Sequence, residues 1–200
     1  MKTNVLCSAT IAGVLALGLP VAAPDDDGHE REGASTTYQT ANAVMFRVGT
    51  PVGGAGTLFR SKQTLDVRVA TTGLQSNGAF TVWWVVFNNP DACVDGCGLD
   101  DLARPDVRAA VFYAAGFVTG ADGTANVTAH LKAGHLAEGV DVELGTGLER
   151  GNGFRAEVHV IVRGHGAIST GHVAEQIGSF NGACNPTCAN KQAVLFPPVP

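Results

Sequence analysis

Two hundred residues with 18 acidic against 13 basic side chains carry a formal net charge of −5, and no basic cluster offsets it. Such a surface repels phosphate backbones and anionic headgroups, which leaves nucleic-acid and membrane-surface binding without electrostatic support. With 45% apolar residues, 26 glycines and 9 prolines, the chain has the composition of one turn-rich globular domain.

The first 23 residues carry Lys2, an apolar run from Ile11 to Leu19, and Val21-Ala22-Ala23. That is the pattern of an export signal cut before Pro24. The run is broken by Gly13, Gly18 and Pro20 and is too short for a hydrocarbon core of about 30 Å, so no integral membrane anchor is expected. The mature protein is expected to be secreted, periplasmic or extracellular. Cys7 goes with the signal. Residues 24–40 open with three aspartates and continue with Gly, Ser and charge, which reads as a disordered acidic leader. The single domain is expected over 41–200.

From there, short β-branched and aromatic runs alternate with Gly, Asn and Asp, and no long amphipathic helical pattern occurs. Strands are expected at 43–48, 56–59, 65–71, 80–87, 109–118, 124–131, 154–163 and 192–196. About eight strands point to an all-β fold, a two-sheet antiparallel β-sandwich with Greek-key-like connections and a short helical turn in its loops. Asp122-Gly123 between two β runs suggests a hairpin. Asn126-Val127-Thr128 is a glycosylation sequon in a eukaryotic host.

Residues 80–87, Phe-Thr-Val-Trp-Trp-Val-Val-Phe, are apolar on both alternating faces, so this strand is expected to be covered on both sides. Trp83 and Trp84 are then core residues rather than an exposed stacking platform for a sugar. The following loop holds Asp91, Cys93, Asp95, Cys97, Asp100 and Asp101, and a second cluster near the end holds Cys184 and Cys188. In an exported protein these four cysteines form disulfides. Pairing within or across the clusters is sterically feasible. The turn-forming Asp95-Gly96 and Asn185-Pro186 favour Cys93–Cys97 and Cys184–Cys188. A four-thiolate zinc site is opposed by the spacing and the compartment. The four aspartates are calcium candidates, although their spacing matches no EF-hand, and a solvated acidic loop is the plainer reading.

The richest chemistry lies on 154–166. Alternation puts Val158, Val160 and Val162 on one face and Glu157, His159, Ile161, Arg163 and His165 on the other. Glu157, His159, Arg163 and His165 form a candidate polar site, with His159 and His165 as candidate ligands for a transition metal. Along a regular strand the two rings would stand about 20 Å apart, so a shared ion needs a bend at Gly164 or a partner such as His130, His135 or His172. A plainly polar outer face, with Glu157 and Arg163 in cross-strand pairs, is the simpler expectation.

The small Gly-rich strands, the Thr71-Thr72-Gly73-Leu74 turn, and a strand histidine followed by Gly164-His165-Gly166 resemble the Greek-key sandwiches of the CHRD and copper-zinc superoxide dismutase type, over 43–165. The resemblance implies a fold only. Those families carry a His-x-His pair where this chain has Glu157-Val158-His159, so superoxide chemistry is not implied. With no nucleophile elbow or P-loop lysine in the sequence, the leading expectation is a non-enzymatic binding or cell-surface module. It needs no cofactor, and its partner is an extracellular ligand or protein of unknown kind. The alternatives are a metal carrier or metal-dependent enzyme using His159 with His165 or another histidine, and a calcium-stabilised adhesion domain.

Overall fold

The computed structural model describes residues 35–46 and 49–200, Met45 by its backbone alone. The signal segment and residues 24–34 of the leader lie outside the described residues. Nine strands follow in chain order: β1 (Thr36–Met45), β2 (Pro51–Ser61), β3 (Thr64–Thr71), β4 (Gly78–Phe87), β5 (Ala109–Val118), β6 (Ala125–Lys132), β7 (Val142–Leu144), β8 (Glu157–Ala167) and β9 (Ala189–Phe196). Turns of 3-10 helix at Pro90–Ala92 and Leu99–Asp101 and one short helix, α1 (Val173–Gln176), sit in the loops.

The strands form one sheet in the order β6-β3-β2-β1-β9-β8-β4-β5-β7, with every ladder antiparallel. The all-β reading holds, but the molecule is a single curled sheet, a half-barrel, where two separate sheets were expected. The reason is β1. It pairs with β2 from Thr36 to Asn42 and, past a bulge between Asn42 and Val44, at Val44, where its other edge takes up β9 through Val44 and Met45. A strand that keeps one neighbour and gains a second past a bulge turns a corner between two would-be sheets and joins them. Residues 36–40, assigned to the leader from sequence, are therefore the start of this joining strand.

The curl lets the sheet pack on itself. Its inner face gathers Leu58, Leu65, Val67 and Val69 with Val82, Trp84, Val86, Phe112, Val158, Val160 and Phe196 in one buried cluster. β5 and β6, remote in the hydrogen-bonded order, approach each other across the interior. They do not form the hairpin that Asp122-Gly123 suggested. β5 pairs with β4 and β7, and β6 pairs with β3. The turn's backbone groups are engaged elsewhere: Leu74 N donates to the Gly123 carbonyl at 3.1 Å and Asn77 N to that of Gly120 at 3.1 Å. The tight turn thus crosses between the two ends of the sheet.

Outside, Trp83, Val85, Phe87, Val107, Val111 and Ile161 form a second buried cluster, covered by the loops that follow β4 and α1. β4 is accordingly buried over its whole length, and both tryptophans are core. Both disulfides form within their clusters, Cys93–Cys97 with Cα atoms 5.0 Å apart and Cys184–Cys188 with 5.1 Å. Such bonds are the product of an oxidising compartment. No helix among the described residues is long and apolar enough to cross a membrane.

One end of the half-barrel is sealed by Arg60, 1% exposed. Its five N–H groups are all accepted: Nε by Gln39 Oε1 (2.6 Å), Nη1 by the carbonyls of Gly153 (3.0 Å) and Ala156 (2.8 Å), Nη2 by those of Phe196 and Pro197 (3.0 Å each). Burial pulls its pKa down to about 10, with the Glu157 charge acting the other way, so the side chain is cationic at neutral pH. It ties β2 to β1 through the Gln39 side chain, and to the segment just before β8 and the end of β9 through backbone oxygens. Arg60→Met keeps the stem and leaves four carbonyls without this donor. Equilibrium urea unfolding should show a loss of at least about 3 kcal/mol; a loss below about 1 kcal/mol would mean that water replaces the guanidinium.

Candidate functional site

The outer face of β4, β8 and β9 is not completely filled. A cavity of about 350 Å³ lies between it and the first disulfide loop, within the range of small-molecule sites. Trp83, Val85 and Phe87 of β4, Ile161 of β8 and Ala193 and Leu195 of β9 form the floor, Val44 and Phe46 one wall, and Cys97, Gly98, Leu99 and Leu102 the roof. The floor is apolar because β4 carries no polar face and has its other side in the core. The roof is pinned by the Cys93–Cys97 bond and by Asp101, a buried carboxylate that accepts from Gly98 N at 2.9 Å and pairs with Arg104 at 3.4 Å.

Two polar side chains reach this cavity, His159 and Asn190. The His159 ring stands edge-on to Phe87, with centroids 5.0 Å apart, and its Nε2 lies 2.7 Å from Glu157 Oε1. Nδ1 has no hydrogen-bond partner among the described residues, and it is not a sealed, unsatisfied atom. The carboxylate orients the ring, which leaves one nitrogen for a ligand atom. Asn190 Oδ1 is occupied by Arg163 Nη1 at 2.9 Å.

Arg163 does not join a cross-strand ion pair. Its Nε donates to the Phe180 carbonyl (2.7 Å) and its Nη2 to Asn181 Oδ1 (2.7 Å), while the guanidinium lies 4.0 Å over the Phe180 ring. Phe180 in turn meets Trp83 edge to face at 4.8 Å. Arg163 is a clamp that holds the loop after α1 against the sheet, and Phe180 closes one end of the cavity.

The alternation read from sequence is correct: Val158, Val160 and Val162 are fully buried inward, and His159, Arg163 and His165 share the outer face. That face is roofed rather than open to water, and the two histidines do not converge. In the β4–β8 ladder Gly164 pairs with Phe80 and Gly166 with Ala79, so His165 is the extra residue of a bulge. Its ring, fully buried, has Nε2 2.9 Å from Thr81 Oγ1 and Nδ1 2.9 Å from the Gly182 carbonyl. A carbonyl only accepts, so Nδ1 carries the proton; Nε2 accepts from the Thr81 hydroxyl, which itself accepts Trp83 Nε1–H at 2.8 Å. Burial first, and the Arg163 charge second, hold the imidazole pKa below its ordinary value, against the bond to Gly182.

Asp91, Asp95 and Asp100 are exposed and Asp101 is engaged by its loop. Among the described residues no three carboxylates gather into an ion-sized group. His130 pairs with Asp66 (2.7 Å) and His172 with Glu175 (3.5 Å), both exposed. Sequence reasoning missed Arg60, Thr81 and Phe180, whose importance comes from neighbours far along the chain. No protein-family model, curated protein or solved structure matches the chain.

The neutral His165 makes a pH test. Because its folded pKa lies below 6.5, the unfolded chain takes up the proton first as the solution is acidified. This residue's contribution is therefore fully present above about pH 6.5 and is lost below it, until the folded-state value is reached, by at most about 1.4 kcal/mol per pH unit. The stability-versus-pH slope between about pH 5 and 6.5 should flatten in His165→Gln; an unchanged slope would assign it to another group.

Proposed function

We propose that this chain is an exported, non-enzymatic binding module that takes a small apolar molecule, or the apolar end of a larger one, into the cavity beneath the Cys93–Cys97 loop. The observation that carries the reading is a preformed space of about 350 Å³ with almost wholly apolar walls and one oriented imidazole. A rigid floor and a cross-linked roof limit the ordering cost of binding, and His159 Nδ1 supplies the single directional contact that such sites use for orientation. The net negative charge favours a neutral or cationic ligand over an anionic one.

A metal carrier or enzyme using His159 with His165 is less well supported, since the first ring lines the cavity and bonds Glu157 while the second bonds Thr81 and Gly182. Calcium-stabilised adhesion through the aspartate loop lacks a gathered set of oxygens, with Asp101 already bound to backbone and Arg104.

The test is titration with the neutral fluorophore N-phenyl-1-naphthylamine. Saturable binding at one site per chain is expected, weakened about tenfold or more by Leu99→Trp, which fills the cavity from its roof. His159→Phe keeps the shape and should leave this probe bound while weakening analogues that carry a hydroxyl or amine. Absence of saturable binding in a protein with native circular dichroism, or indifference of the probe to Leu99→Trp, would reject the reading.

A further inference from the structure

The second disulfide closes its loop directly over His165, six residues along β8 from His159 and outside the apolar cavity. His165 Nδ1 and the sulfurs of Cys184 and Cys188 all lie within 4.8 Å of one another, the only such three-residue group of metal-capable side chains among the described residues. Nδ1 is 3.2 Å from the Cys188 sulfur. The histidine is fully buried, whereas the cysteines are half-buried and within reach of a reagent.

We propose that the Cys184–Cys188 disulfide is a reversible cap on a copper(I) site, opened by a dithiol reductant and formed by the two thiolates and His165 Nδ1. In the opening step the dithiol delivers two electrons and two protons: the Cys184–Cys188 bond breaks, two S–H bonds form, and the reductant closes into its own disulfide. Copper(I) then displaces both thiol protons. His165 stays neutral overall: its proton leaves Nδ1, which gives up its bond to the Gly182 carbonyl to the ion, another is taken up at Nε2, and the Thr81 hydroxyl turns from donor to acceptor.

Three features fit this conversion. The Cα separation of 5.1 Å suits two sulfurs each about 2.3 Å from a common ion. The outer-shell partner is in place: with Nδ1 on the ion and the Thr81 hydroxyl turned, Nε2–H donates to Thr81 Oγ1 across the same 2.9 Å, and the other lone pair of that oxygen holds Trp83 Nε1–H. A ligating histidine is ordinarily held by such a second bond.

The loop, moreover, is seated without help from the disulfide. Asn185 N donates to the His165 carbonyl at 2.7 Å. Gly166, at φ +91°, lets the Asn185 carbonyl approach so closely that any Cβ there would overlap it. Arg163 holds Phe180 and Asn181 as described above. Reduction therefore frees the sulfurs while leaving them beside the imidazole. Two thiolates and one imidazole form a soft, three-ligand set that suits copper(I), whereas zinc takes four ligands, and no fourth His, Cys, Asp or Glu joins the group.

The full chain, reduced with dithiothreitol and freed of it under argon, is titrated with copper(I) held in competition with bathocuproine disulfonate. One ion per chain is expected, bound at least about 100-fold more tightly than by the oxidised protein or by Cys184→Ser/Cys188→Ser, and about 10- to 100-fold more tightly than by His165→Gln. X-ray absorption on the loaded wild type needs no variant to fold, and should give two sulfur neighbours near about 2.3 Å and one nitrogen near about 2.0 Å. Equal affinity in oxidised and reduced protein, retention of tight binding in the double serine variant, an all-sulfur spectrum, or uptake of zinc in place of copper(I) would each overturn the assignment.

Discussion

β4 has no side that can meet water. From Phe80 to Phe87 the strand places seven large apolar side chains on two faces, and all of them are buried. At roughly 2 kcal/mol each their burial is worth on the order of 15 kcal/mol before entropy is counted, comparable with the whole net stability of a domain of this size. The inner face is covered because the sheet curls until β3 and β6 lie against it. The outer face has no second sheet to cover it, so loops must do so, and those loops carry both disulfides.

A loop is a poor cover compared with a sheet. Its backbone needs partners and its apolar side chains are few, so it fits over large rings incompletely. The loop after β4 meets this difficulty with a local cross-link, a buried carboxylate binding its own backbone, and Leu102 half-buried beside an exposed Leu99 at the cavity's rim. What it fails to fill is the cavity beside His159. The loop after α1 meets it with Phe180 pressed on Trp83 and Arg163 stacked behind. Cavity and clamp are two results of one requirement, the covering of the second face of β4.

That requirement was legible in the sequence, because Phe80–Phe87 shows no polar alternation, and β5 was read residue for residue. The inward and outward sets of β8 also follow from a period of two, which survives up to the bulge at His165. Other parts depend on partners that the sequence does not display. Thr36–Thr40 is polar and sits in a charged neighbourhood, so it resembles a leader; it is a strand because β2 offers it a ladder of backbone bonds. Asp122-Gly123 carries the chemistry of a hairpin turn, yet its carbonyl neighbours are taken by Leu74 and Asn77. Arg60 is a charge two residues on from the inward Leu58, and it can be buried there because the segment before β8 and the end of β9 present their carbonyl oxygens to it.

The two disulfides share a spacing and a Cα separation but close over different surfaces, and the difference traces to three residues. Gly164-His165-Gly166 combines a bulge that turns one imidazole toward Thr81 with one position, Gly166, where any side chain would collide with the Asn185 backbone. A glycine next to a buried histidine lets the loop backbone lie directly on the strand at Asn185. Under Cys93–Cys97 there is no such approach; the side chains of β4 and β8 hold the loop away and leave space for an apolar guest. Under Cys184–Cys188 the loop lies flat, and its sulfurs come to rest against a nitrogen. The same clasp therefore frames an apolar cavity at one place and assembles a donor set at the other, according to whether the strand beneath meets it with side chains or with Gly166.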